Sequence, residues 1–128
     1  MSPYAERWLQ AFLITQLIEI SVGLALLKLL SDRFNPTESR RWPRLELLSL
    51  FAASAITHPP LWFALPGVCR ALKMSYMGYL ALGESLVVLI EALWYLLTLA
   101  QVRGRPELAL CLAALLNLAS WGLGSLLL

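Results

Sequence analysis

The sequence predicts an all-α integral membrane protein built as a four-helix bundle, and three observations predict it. Of 128 residues, 59% are hydrophobic and only 14% are charged, with mean hydropathy +0.71. Soluble domains carry roughly a quarter charged residues, and a disordered chain needs low hydrophobicity with high net charge. The charges gather at a few points and leave four apolar runs, each near the ~20 residues that span a bilayer core as a helix. These runs do not alternate, which excludes barrel strands. Lipid offers no partner to an unpaired backbone group, so the runs must be helices.

The first helix is expected over residues 8–30, interrupted by Glu19 and ending near Lys28. The segment before it carries Glu6 and Arg7 rather than a basic cluster, and its apolar run exceeds a signal-peptide core, so it is expected to be retained. The second helix is expected over 46–65. It contains Thr57-His58-Pro59-Pro60, where two prolines remove two backbone donors. A break is expected there, with carbonyls near Ala55 and Ile56 losing their helical partners and His58 pushed away from α geometry. The third helix is expected over 74–100, with Glu84 and Glu91 inside it, and the fourth over 107–128, with Asn117 and Ser120 inside it. The connections are too short for a further domain, so residues 1–128 read as a single transmembrane domain.

Basic residues set the expected orientation. Loops 31–44 and 101–107 hold Arg33, Arg40, Arg41, Arg44, Arg103 and Arg105, against Arg7, Arg70 and Lys73 at the other side. The positive-inside rule places those two loops in the cytoplasm and both termini outside. Trp8, Trp62, Tyr76 and Tyr79 then form an outer aromatic belt, with Trp42 and Tyr95 near the inner face. The +2 net charge is mostly a topology signal: with no basic face on a soluble domain, nucleic acid is not a partner. Cys69 falls in the expected outer loop and Cys111 near the inner end of helix four, too far apart to pair, and Cys111 reads as a small packing residue.

A basic or acidic residue at the bilayer centre costs about 2.5–3.5 kcal/mol on insertion scales. Glu19, Glu84 and Glu91 are therefore the informative exceptions in this chain. Glu19 lies eleven residues past Trp8, roughly 16 Å into the membrane. His58 lies seven residues before Leu65, roughly 10 Å in. Each helix brings a polar group to mid-depth: Gln16 and Glu19; Ser54, Thr57 and His58; Glu84 and Glu91; Asn117 and Ser120. The least costly arrangement turns all of them inward. Phe12, Gln16, Glu19 and Gly23 then share one face of helix one, and Ala113, Asn117, Ser120 and Gly124 one face of helix four, with small residues permitting close approach.

Leu17-Ile18-Glu19 matches Leu89-Ile90-Glu91, and Ser54-Ala-Ile-Thr57 aligns with Asn117-Leu-Ala-Ser120. Two helical hairpins related as parallel repeats would place Glu19 and Glu91 equivalently, each near a hydroxyl from its partner helix. With Thr-His-Pro and Trp62 in helix two and Gly124 in helix four, this pattern resembles a group of small, uncharacterised bacterial four-helix membrane proteins. The resemblance implies a multi-pass protein of the inner membrane and no particular activity.

Three functions compete. The first is handling of a cation by binding or transport, with Glu19, His58, Glu84 and Glu91 as the ion-binding or proton-handling residues. Gln16, Ser54, Thr57, Asn117 and Ser120 would support them. The cation is a proton or a divalent metal, although the Glu-x-x-His pairs of di-iron bundles are missing. The second is a structural or accessory role, in a homo-oligomer or a larger membrane complex, with the polar cluster as interhelical hydrogen-bond glue. The third is an intramembrane enzyme using Ser54, Thr57, Ser120 or Cys111 with His58. No motif sets a nucleophile beside a base, so no catalytic residue is assigned.

Overall fold

The computed structural model describes residues 1–34 and 43–128. Arg40, Arg41 and Trp42, which bear on the expected orientation, lie outside the described residues. The chain forms helices α1 (Pro3–Phe34), α2 (Arg44–Pro59), α3 (Leu65–Ala71), α4 (Tyr76–Thr98) and α5 (Pro106–Leu127). A π-helical turn, Pro60–Ala64, joins α2 to α3 without a break, and a short 3-10 turn, Ala100–Val102, follows α4. Four segments are long and apolar enough to cross a membrane: Pro3–Phe34, Arg44–Ala71, Tyr76–Thr98 and Pro106–Leu127. The described residues contain no strand.

The helices form a square. Helix α1 packs beside α2 and α5, and α4 packs beside the same two, so α1 and α4 sit on one diagonal. Both chain termini lie at one end. At the opposite end an apolar core gathers Leu27, Leu50, Tyr95, Leu99, Val102, Leu112 and Leu116. The outward faces carry Leu13, Leu17, Leu89, Leu93, Leu97, Leu115 and Leu118, all exposed. Exposed leucine over a continuous surface is what a lipid solvent permits and water does not.

Close approach is set where a side chain is missing. A Cβ on Gly23 would lie 2.8 Å from the Leu50 methyl carbons, and one on Gly83 would lie 2.7 Å from Leu61 Cδ1. Gly23 thus brings α1 onto α2, and Gly83 brings α4 onto the π turn. Gly124 is different: it is buried, yet nothing lies within 4 Å of where its Cβ would be. It opens space rather than closing a helix contact.

The second segment departs most from the sequence reading. Pro59 and Pro60 keep right-handed helical dihedrals (φ −61°, ψ −46° and φ −61°, ψ −38°), so the helix passes through them. The helix widens immediately after them: Leu65 N–H bonds to Pro60 O in the π register. That takes the donor Leu61 O would use in an α-helix, and Pro66 has no N–H for either Leu61 O in the π register or Trp62 O in the α register. Two tyrosines supply the difference. Tyr79 Oη donates to Leu61 O at 3.2 Å and Tyr4 Oη to Trp62 O at 2.7 Å. The helix therefore runs on to Ala71 rather than ending near residue 65, and Cys69 is buried within α3 instead of lying in a loop. A tight turn follows, with Lys73 at φ 53° and Met74 N–H bonded to Cys69 O. Ser75 then caps α4 by accepting from Gly78 N–H at 3.1 Å.

Two further readings change. Tyr95 is not an interfacial aromatic but a fully buried core residue, at 0% exposure. Cys111 is exposed on the apolar surface rather than packed inside.

Candidate functional site

The carboxyl groups of Glu19 and Glu91 sit at the centre of the square, at 2% and 1% exposure. They are inward because α1 presents Gln16, Glu19 and Gly23 on one buried face, and α4 presents Val87, Glu91 and Tyr95. Each carboxyl is held from two helices. Ser54 Oγ on α2 donates to Glu19 Oε2, and Ser120 Oγ on α5 lies 2.8 Å from Glu19 Oε1. Asn117 Nδ2 on α5 donates to Glu91 Oε2 at 2.6 Å, and Thr57 Oγ1 on α2 lies 2.8 Å from Glu91 Oε1.

This arrangement obeys a two-fold exchange. Glu19 takes one partner from its own hairpin, Ser54, and one from the other, Ser120. Glu91 takes Asn117 from its own hairpin and Thr57 from the other. Swapping α1 with α4 and α2 with α5 maps each contact onto its counterpart, and the helix square has the same symmetry. The partner Glu91 finds in its own hairpin is an amide, not the hydroxyl the sequence match suggests; the hydroxyl comes across from α2.

The hydrogens in this cluster can be counted. Thr57 Oγ1 is 2.8 Å from Glu91 Oε1 and 3.1 Å from Ala53 O, but a hydroxyl has one hydrogen. Ser120 Oγ is likewise 2.8 Å from Glu19 Oε1 and 3.0 Å from Asn117 O. Both contacts of each hydroxyl are satisfied when the carboxyl contributes a proton of its own. Asn117 needs no such help, because its amide carries two hydrogens, one for Glu91 and one for Ala113 O at 2.9 Å.

Glu84 and His58 stand apart from this pair. Neither side chain forms a hydrogen bond to another described residue, and His58 Nδ1 is buried without a partner. The His58 ring packs edge-on against Phe12, centroids 5.6 Å apart. Both side chains line a cavity of about 260 Å³ toward the end of the bundle that carries the termini. Asn117, Ser120 and Gly124 line the same cavity, so it touches groups that hold the two inner carboxyls. Gln16 does not join the cluster; its amide donates to Phe51 O at 3.3 Å. His58 also makes no hydrogen bond to Ser54, Thr57 or Ser120 that would make one of them a nucleophile.

Several polar contacts were not legible in the sequence. Trp94 Nε1 donates to Ser49 O at 3.0 Å, and Ser49 pairs with Thr98 at 2.5 Å. Gln101 Nε2 reaches Ser31 at 3.2 Å and Glu46 at 3.1 Å, tying three segments at the end remote from the termini. Gln101 reads as a loop residue, and only the 3-10 turn brings it inside. Thr15 and Trp121 also line the cavity beside Glu84; Trp121 carried no signal beyond being an aromatic on an apolar helix.

Among the described residues, no group of three or more His, Cys, Asp or Glu side chains is placed to hold a metal ion. Comparison with protein-family models, with curated proteins and with solved structures finds no significant match.

Proposed function

We propose that this small membrane protein handles protons, with Glu84 as the accessible carboxyl and Glu19 and Glu91 as the inner pair. One observation carries the reading: a single cavity reaches from the unpaired Glu84 carboxyl to Asn117 and Ser120, which hold the two buried carboxyls. An intramembrane carboxyl without a partner is costly unless it serves a path or a ligand. The hydrogen count around Thr57 and Ser120 fits carboxyls that carry protons. The divalent-metal version finds less support, since each inner carboxyl already has both oxygens engaged by hydroxyl or amide groups. On the charge pattern, the cavity end faces outside and the remote end faces the cytoplasm; a bacterial inner membrane is what the resemblance implies.

The test is proton flux in liposomes loaded with a pH-sensitive dye, driven by a potassium diffusion potential. Wild-type protein should carry a flux above the lipid leak, and Glu84→Gln and Glu91→Gln should each reduce it toward the leak. Wild-type flux no greater than the leak would sink the reading.

A second reading has an observation of its own. The inner carboxyls form a closed set of hydrogen bonds, which is what interhelical glue in a structural subunit or homo-oligomer requires. Mass measurement in mild detergent separates the two: a strict monomer with no bound protein disfavours a subunit role.

A further inference from the structure

We propose that the cavity beside Glu84 binds a small organic ammonium ion. The charge argument comes first. Glu84 has no ion-pair or hydrogen-bond partner among the described residues, and no Lys or Arg lines the cavity. A carboxylate there is neutralised either by a proton or by a cation that enters the cavity.

The walls choose which cation. They include Leu61 and Val87, with the indoles of Trp62 and Trp121. A divalent metal wants six or more oxygen ligands, several of them charged; Glu84 is the only side-chain carboxylate in the lining, and the neutral Asn117 and Ser120 side chains are already engaged with the inner carboxyls. An ammonium bearing alkyl or aryl groups suits them: its charge pairs with Glu84, its apolar body leaves water, and an indole face attracts the cation through its π electrons. At about 260 Å³ the cavity is smaller than the roughly 300–1,000 Å³ of sites for drug-sized molecules, so the ligand is compact. A second hollow of about 260 Å³ between α4 and α5 shares Glu84, Asn117 and Trp121. Trp121, 63% exposed, therefore borders both hollows beside Glu84.

The inference goes beyond proton handling and needs only Glu84 in common with it. Calorimetric titration of the full chain in micelles with benzyltrimethylammonium tests it, against a micelle blank and without any pH gradient. Wild-type protein should bind the cation saturably and should not bind phenylacetate. Glu84→Gln should weaken binding at least tenfold, Glu84→Asp should keep it within a few-fold, and Trp121→Leu should weaken it several-fold. Neopentylbenzene, the uncharged isostere, should not displace the cation. Equal binding by Glu84→Gln, displacement by neopentylbenzene, or no wild-type binding at millimolar cation would overturn the proposal. Because flux and binding are read separately, either reading can fail while the other stands.

Discussion

Ser54 and Asn117 occupy the same place in the two halves of the bundle: each bonds the carboxyl of the glutamate in its own hairpin, Glu19 and Glu91 respectively. Their neighbours three residues on, Thr57 and Ser120, each cross to the other glutamate. Four short side chains on two helices thus hold two buried carboxyls through a contact pattern that repeats when the two hairpins are exchanged. The repetition has a physical use. Each glutamate draws one partner from each hairpin, so neither hairpin can slide or rotate against the other without costing each carboxyl one of its two partners.

That shared holding predicts coupling. Ser54→Ala and Ser120→Ala should each cost about 1 kcal/mol in unfolding measured in mixed micelles, within the range found for hydrogen bonds in membranes. Both remove a partner from Glu19, so the double variant should cost measurably more or less than the sum. Strict additivity would show that the two hydroxyls do not act on one carboxyl.

The glycines should behave oppositely. Gly23→Ala drives a methyl to 2.8 Å from the Leu50 side chain, which is itself fully buried. Overpacking of this kind costs about 1–3 kcal/mol, and Leu50→Ala, itself costly because Leu50 is fully buried, should cost less in the Gly23→Ala background than alone. Gly124→Ala meets nothing within 4 Å and should be neutral or stabilising by up to about 1 kcal/mol. Equal penalties at Gly23 and Gly124 would contradict the helix spacing described.

Tyr79→Phe removes the hydroxyl that serves Leu61 O, where the π turn and Pro66 leave that carbonyl short of a donor. A cost of about 1 kcal/mol is expected for losing the hydrogen bond to this half-buried carbonyl. Hydrogen–deuterium exchange should rise across residues 61–71 and stay unchanged across 106–127. Uniform protection in both regions would mean that the tyrosine does not support the turn.

Thiol labelling distinguishes a helical residue 69 from a loop residue. In the folded protein a small maleimide should react with Cys111, which is exposed, and spare Cys69, which is 4% exposed. Both should react after unfolding in dodecyl sulfate. Fast labelling of Cys69 in the folded state would argue for the loop that its position in the sequence suggests.

The amino-acid sequence by itself determined the solvent and the inward faces. Long apolar runs can only be helices in lipid, and Glu19, Glu91, Ser54, Thr57, Asn117 and Ser120 can only turn toward one another, because the cost of facing hydrocarbon is too high. It even carried the two-fold pairing, in the short match between Leu17-Ile18-Glu19 and Leu89-Ile90-Glu91. Only the tertiary structure decided which polar groups meet. His58 lies against Phe12, Gln16 reaches a backbone carbonyl, and Glu84 is left beside a cavity. Those outcomes depend on helix order and rotation about each axis. The π turn shifts that rotation for everything beyond Pro60, and the donors that make it affordable, Tyr4 and Tyr79, come from distant points in the chain. A linear pattern records how much a buried group costs, but the partner that offsets the cost is supplied by packing.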